Sequence, residues 1–168
     1  HEATLRAIRE AAERRGHETA VAAASVIGLF ESSIAQLVAL AVLSMIPAGL
    51  VMTREGIPRP LQDALFLFHK NLGALLIPVI LVRIAYRLTH PPPPLPDTVP
   101  AWQRQAAAFS HVLLYLLLVI MPLSGFVRVR AGGFPIELLD RLGVGSWIGK
   151  SPALAGFAEN VHATAAFV

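Results

Sequence analysis

Long apolar stretches that carry almost no charge constrain this chain more than any other feature of its sequence. They cover about residues 34–52, 64–88 and 106–127, and a fourth begins near Phe157 and runs to Val168. A helix of about 20 apolar residues crosses the ~30 Å hydrocarbon core of a bilayer, whereas the last stretch reaches only ~18 Å. The chain is 55% hydrophobic and 15% charged, while soluble domains usually contain about 25% charged residues. The sequence therefore predicts an all-α membrane protein, a four-helix bundle whose fourth helix is truncated in this chain.

The first 33 residues differ from the rest of the chain. Residues 1–20 are rich in Ala, Glu and Arg and carry only a thin apolar stripe, which indicates a short helix that is exposed or lies at the membrane interface. Residues 21–30 are apolar, but such a stretch is too short to span the core. We therefore predict an N-terminal polar or interfacial helical segment at 1–33 and a transmembrane domain at 34–168. We also expect the chain to be a fragment of a longer protein.

The composition excludes several classes of function. The chain has no cysteine, so disulfides, thiolate-held iron–sulfur clusters, zinc–cysteine sites and covalent c-type haem are excluded. Its arginines are scattered around the apolar stretches and form no basic–aromatic face, so nucleic acid is not an expected partner. The Lys and Arg residues divide equally between the two sides of the predicted spans. The positive-inside rule therefore does not orient the protein.

Two histidines lie near the start of predicted spans that run in the same direction. His69 is a few residues into the second span, and His162 is a few residues into the fourth. Because consecutive spans alternate in direction, both histidines are expected at one depth on one side of the membrane. A histidine that faces hydrocarbon is costly unless it has a partner or a ligand. The pair could bind one haem iron axially from both sides, or the two side chains could only form hydrogen bonds with neighbouring helices.

Two residues close to His69 are candidates for contact with the same haem. Gly73 is one helical turn after His69 and lies on the same face of the helix. The missing side chain there would leave room for a porphyrin against the backbone. Lys70 is adjacent to His69 and could reach haem propionates on its own side of the membrane, or it could extend to the interface.

A second group of candidates is expected at the opposite side of the membrane. His111 is near the start of the third span, where it could be a ligand, a contact of a propionate or a quinone, or an interfacial residue. Arg83 and Arg87 follow His69 by ~21 and ~27 Å along a helix. These arginines could anchor the helix end at the interface, or they could pair with the propionates of a second haem or with anionic lipid.

Three segments of the chain together resemble one known family. The block FHKNLGALLIPVILVRIAYRLTHPPPPLP strongly resembles the second span and following loop of the bacterial cytochrome b561 family. The segment HVLLYLLLVIMPLSG is similar to the third span of that family, and ENVHATAAFV to the start of its fourth. The resemblance covers about residues 34–168.

The resemblance implies a four-helix membrane bundle that holds b-type haem by histidines. It implies electron transfer between a membrane quinol or quinone and a redox partner protein, in the bacterial inner membrane. His69 and His162 would be the axial ligands of one haem b. In the orientation of the family, with the N-terminus in the cytoplasm, this haem would lie towards the periplasm.

The family also holds a second haem, and the chain departs from its pattern there. Where the family typically has His-Trp early in the first span, this sequence has Ala35 and Gln36. The other ligand of that haem would fall beyond Val168. Alanine cannot coordinate iron, so we expect one haem b in this chain. Alternatively, His111 substitutes as a ligand, or the N-terminal region is atypical.

Other functions fit the sequence less well. A non-redox structural or assembly module that has lost its haem is the main alternative, and Ala35 favours it. A small transporter with histidines along a proton path would be expected to carry acidic residues within its spans, and the second and third predicted spans have none. A soluble enzyme would have to bury three near-complete spans in a small core. Helix faces that contain Ala and Gly would permit a homodimer.

Overall fold

The structure is a computed structural model that describes the backbone of residues 2–91 and 95–167; within this part, the side chains of 2–5, 7–9, 11, 20–28 and 30–31 are not described. All regular secondary structure in the described part is helical. In chain order the helices are α1 (Glu2–Met52), α2 (Arg59–Thr89), α3 (Ala101–Ala131), α4 (Glu137–Arg141) and α5 (Pro152–Ala165).

Helix α1 is continuous where the sequence suggested separate pieces. It runs from Glu2 to Met52 and includes the predicted interfacial helix, the short apolar stretch and the first span. The polar residues at 31–33 do not end it, since Ser33 donates its hydroxyl hydrogen bond to the carbonyl of Leu29 within the same helix. The chain divides into two compact units, His1–Leu37 and Val38–Val168. The domain boundary predicted at 33/34 stays a prediction.

Prolines mark the starts of the other long helices. Helix α2 follows Pro58 and helix α3 follows Pro100, and proline is favourable at a helix start because no intrahelical partner exists there for an N–H group. Both helices are longer than the predicted spans at 64–88 and 106–127. At 31 residues each, they reach ~46 Å and extend beyond the hydrocarbon core at their ends.

The surface of the three long helices is that of a membrane protein. Helix α2, helix α3 and the segment Ser32–Met52 of α1 are each long and apolar enough to cross a membrane. Large apolar side chains such as Leu43, Leu81 and Leu114 are more than half exposed. Such a surface is unfavourable in water by about 25 cal/mol per Å², but it is well solvated by lipid. The predicted helical membrane bundle is confirmed.

Helix α5 begins earlier than the sequence suggested. It starts at Pro152, not near Phe157, because Ser151 caps it by accepting a hydrogen bond from the N–H of Leu154. Helix α5 packs against α3, and α3 also packs against α2. Counted from the first residue of its own helix, His69 is the eleventh residue of α2 and His162 is the eleventh of α5.

The connection between α3 and α5 is anchored by an ion pair whose guanidinium is buried and whose carboxylate is partly exposed. The guanidinium of Arg130, near the end of α3, is buried and lies 2.7 Å from the carboxylate of Asp140 in α4. Asp140 also accepts a hydrogen bond from the N–H of Ile136, a residue that is 1% exposed. The carboxylate therefore links the end of α3 to the start of α4.

A second polar cluster holds α4 against α2. The ammonium of Lys70 lies 2.7 Å from the carboxylate of Glu137 and donates to the carbonyl of Pro135. Asn71 donates to Glu137 and accepts a hydrogen bond from the N–H of Leu138. Lys70 and Asn71, which directly follow His69, therefore hold the connection between α3 and α5 close to the start of α2.

The carboxyl groups of this connection have lowered pKa values. For Glu137, burial raises the pKa, but hydrogen bonds from Lys70, the backbone and Asn71 together lower it further than burial raises it. For Asp140, the hydrogen bond from Arg130 is the main reason that the pKa is lowered. Both groups therefore favour the folded connection in their ionised form.

We expect Asp140→Asn to destabilise the protein more than Asp63→Asn. The first change leaves the buried guanidinium of Arg130 without its ionic partner, which is unfavourable, whereas Asp63 forms only an exposed ion pair with Arg59 at 3.8 Å. Thermal unfolding of the purified protein in detergent measures the difference. Equal melting temperatures for the two variants would contradict a structural role for the ion pair between Arg130 and Asp140.

The lowered carboxyl pKa values predict a loss of stability in acid. A group with a depressed folded pKa contributes stability that is fully present above its unfolded pKa of about 4 and is lost as the pH falls through the folded value. We therefore expect the melting temperature of the parent to fall below about pH 4. A Glu137→Gln/Asp140→Asn double variant should show a smaller fall, and an equal fall would assign the acid sensitivity to other groups.

Candidate functional site

The structure brings His69 and His162 together. Their ring centres lie 6.1 Å apart, and the ring planes are inclined at 79°. One ring comes from α2 and the other from α5, each at the same position along its helix. Both side chains are half-buried. This is the juxtaposition that the sequence predicted from depth and direction alone.

The distance between the rings fits a metal ion held between them. A metal–imidazole nitrogen bond is about 2.0 Å long, and the ring centre lies roughly 1.1 Å beyond that nitrogen, so two imidazoles on opposite sides of one ion place their centres about 6.2 Å apart. The observed separation of 6.1 Å agrees with this value. Such a pair of imidazoles could hold a haem iron. The described residues contain no group of three or more His, Cys, Asp and Glu residues that could hold a metal.

His162 is oriented by α3. Its Nδ1 lies 2.9 Å from the carbonyl oxygen of Met121 and 3.2 Å from the hydroxyl of Ser124. A methyl group added at Gly125 would lie 3.0 Å from Cε1 of the ring. Because Nδ1 takes the hydrogen bonds on the α3 side, Nε2 is left for a metal.

His69 is oriented by α1 in a similar way. The backbone of Met45 faces the ring, and a methyl group added at Gly49 would lie 3.1 Å from Cε1 and 3.6 Å from Nδ1. Nδ1 is buried and forms no hydrogen bond of good geometry within the described part of the chain. The ring is therefore confined by a glycine, as His162 is, but its Nδ1 is less well satisfied.

Two candidates near His69 have other contacts. A methyl group at Gly73 would meet the terminal carbon of Met45 at 3.3 Å, so the bare backbone at Gly73 faces α1. The proposed room for a porphyrin at this glycine stays a prediction. The Lys70 ammonium is held by Glu137 and Pro135, and contact with a propionate would require it to leave these partners.

The candidates on the opposite side lie apart from the histidine pair. The guanidinium of Arg83 lies 5.9 Å from the ring centre of Tyr115, and its Nη1 is buried without a hydrogen-bond partner among the described residues. The ring of His111 is exposed, and its Nδ1 lies 2.7 Å from the carbonyl oxygen of Ala107 in the same helix.

Sequence reasoning missed the residues that hold the two rings. A signal was present, because Met45 and Met121 are each followed four residues later by a glycine, Gly49 and Gly125. This correspondence covers only about one helical turn of each helix. Only the contacts of both histidines give it meaning.

Two neighbouring imidazoles on different helices of a membrane bundle form a site of the kind that can hold a haem. The sequence profile of prokaryotic cytochrome b561 matches residues 36–168, and the chain belongs to this family. The predicted resemblance is confirmed. Membership supports, in general terms, a multi-pass bacterial membrane protein with a role in electron transfer through haem b.

Two curated relatives come from Escherichia coli strain K12. The chain is 37% identical over 95 residues to cytochrome b561 homolog 2, an alignment that covers 56% of this chain and 50% of the relative. It is 24% identical over 96 residues to cytochrome b561 homolog 1, with coverage of 57% of this chain and 54% of the relative. The chain thus spans about half the length of the curated relatives that it matches.

We expect Gly49→Ala and Gly125→Ala to weaken haem binding. The added methyl group must displace an imidazole ring by a few tenths of an ångström, and changes that reorient a ligand commonly weaken metal affinity on the order of tenfold or more. The matched control is Gly156→Ala in α5, where a methyl group would meet nothing within 4 Å. Haem titration of the purified apoprotein measures the affinities. Equal affinities in all three variants would show that these glycines do not confine the ligands.

Proposed function

We propose that this protein is a haem b electron-transfer protein of the bacterial inner membrane, with one haem held by His69 and His162. The observation that carries the proposal is the separation of 6.1 Å between the two ring centres. It agrees with the spacing of two imidazoles across one iron. Family membership over residues 36–168 supports the same cofactor.

The chain contributes ligation, orientation and exclusion of water. When bound, haem supplies a reversible one-electron couple, and its potential depends on the ligands and on their hydrogen bonds. His69 and His162 would coordinate the iron through Nε2. The Met121 carbonyl oxygen, 2.9 Å from Nδ1 of His162, would accept the hydrogen bond that keeps the proton on this nitrogen. The apolar surface of the long helices would keep the surroundings of both rings at low polarity.

The proposed electron donor is a membrane quinol, and the proposed acceptor is a redox partner protein. Electron transfer in the opposite direction, from the partner to a quinone, uses the same site. Oxidation of a quinol also releases protons, so groups near the membrane surface would have to receive them. His111 is exposed near the start of α3 and is a candidate for this work or for contact with a quinone. Arg83 is a candidate for binding an anion, either a haem propionate or an anionic lipid, because one of its nitrogens is buried without a partner in the described part of the chain.

We propose one haem because one ligand position of the second haem carries an alanine, which cannot coordinate iron. Ala35 occupies the position where the family typically has a histidine, and the family match begins one residue later. Gln36 is exposed and donates to the hydroxyl of Ser32 in its own helix. The alternative function, a structural or assembly module without haem, rests on the same departure at Ala35. A homodimer is compatible with either function.

Replacement of either proposed ligand tests the function. We expect the full-length parent, purified in detergent, to contain about one b haem per chain, and we expect His69→Ala and His162→Ala to lose it. His90→Ala is the matched control, because His90 is exposed and stacks on Tyr86 at 4.3 Å. A reduced-minus-oxidised visible spectrum with pyridine haemochrome quantification gives the haem content.

Each other outcome has a definite meaning. A parent without haem, after expression with adequate haem supply, would rule out the electron-transfer proposal and leave the structural module. About two haems per chain would require a replacement ligand, and His111→Ala would then test His111 first. Haem retained in both His69→Ala and His162→Ala would show that other residues bind the haem.

A further inference from the structure

We propose that the two histidines are held by two similar helical cradles, and that one difference between them, Ser124 in place of Ala48, contributes to making the two haem ligands unequal. The first cradle consists of Met45, Ala48 and Gly49 in α1, and the second of Met121, Ser124 and Gly125 in α3. The inference rests on the proposed function and names the residue that tunes that site.

The two cradles correspond position by position. In the second cradle, the carbonyl oxygen of Met121 lies 2.9 Å from Nδ1 of His162, whereas in the first the backbone of Met45 is near His69 without a hydrogen bond of good geometry. In each, the glycine four residues later admits the ring so closely that a methyl group there would lie 3.0 to 3.1 Å from Cε1. In a helix, residues four apart lie one above the other on the same face. One strip of helix surface therefore supplies both the backbone contact and the space for the ring.

The third position of the cradle lies on nearly the same face and differs in chemistry. Ala48 and Ser124 each follow the methionine by three residues, and both are buried. The Ser124 hydroxyl lies 3.2 Å from Nδ1 of His162 and 3.0 Å from the carbonyl oxygen of Met121. Alanine offers no such group, and Nδ1 of His69 is left without a good hydrogen bond.

The hydroxyl changes the donor strength of His162. When Nε2 binds iron, Nδ1 carries the proton and donates it, here to the Met121 carbonyl and to the Ser124 oxygen. Acceptors at this nitrogen raise the basicity of the ligand at the other one, and a stronger donor favours the oxidised iron. Ser124 therefore acts as a positioning residue that lowers the reduction potential through His162.

A serine that bonds to its own helix is common and need not affect a ligand, so the test needs a matched serine. Ser44 is suitable, because its hydroxyl donates to the carbonyl of Ala41 three residues earlier, at 2.7 Å, and the residue is exposed. Ser44→Ala removes the same type of bond from α1 without touching either cradle. Ser124→Ala removes the hydroxyl at His162, and Ala48→Ser introduces one at the corresponding place beside His69.

The measurements are the haem content, the midpoint potential and the low-spin electron paramagnetic resonance spectrum of the full-length protein in detergent. We expect Ser124→Ala to keep its haem and to favour reduction about threefold, a rise of about 30 mV at ~59 mV per tenfold for one electron. Ala48→Ser should shift the potential in the opposite direction. Ser44→Ala should match the parent. The g values should change in the two cradle variants alone.

The outcomes separate this inference from the function on which it rests. A parent without haem overturns the proposed function, and the inference with it. If the parent contains haem but Ser124→Ala has the same potential and g values as the parent, the inference is overturned and the proposed function is left intact. If Ala48→Ser does not fold, the comparison of Ser124→Ala with Ser44→Ala decides alone, and equal shifts in those two variants also overturn the inference.

Discussion

The rest of the structure depends on the placement of two imidazole rings from α2 and α5 opposite each other, 6.1 Å apart, within an apolar bundle. A polar ring among lipid-facing helices must find a partner. His162 finds the Met121 carbonyl and the Ser124 hydroxyl of α3, whereas Nδ1 of His69 forms no hydrogen bond of good geometry among the described residues. Close contact with the backbone needs glycine at the point of approach, which Gly49 and Gly125 provide. The position of the histidines thus restricts the residues that the neighbouring helices can carry.

Polar contacts close to the two rings fix the register in which the rings meet. Lys70 and Asn71 bind α4 directly after His69. On the other pair of helices, the guanidinium of Arg128 lies 2.9 Å from the carboxylate of Glu159. Arg128 follows Gly125 by three residues and Glu159 precedes His162 by three, so this ion pair lies about one helical turn from the contact between ring and glycine. A shift of α5 along α3 would break both contacts together.

The sequence was informative where local pattern decides structure and uninformative where distant residues meet. Apolar runs predicted the spans, and helix direction predicted that His69 and His162 would lie at one depth. The start of α5 at Pro152 was missed because its signal is a short Ser-Pro cap. The partner of Lys70 is 67 residues away in the chain, and the glycines act only through rings on other helices. No periodicity in the sequence connects such residues before the helices are packed.

The histidine pair also bears on the choice between a haem protein and a structural module. A buried polar atom without a partner destabilises a fold by about 1–3 kcal/mol, and Nδ1 of His69 is such an atom in the described structure. Leucine at this position would pack in an apolar bundle without that cost. Iron ligation through Nε2 would offset it, since the bond uses the second nitrogen and fixes the proton on the first, towards the backbone of Met45. If the proposed function holds, a metal between the rings thus offsets a cost that packing alone leaves at His69.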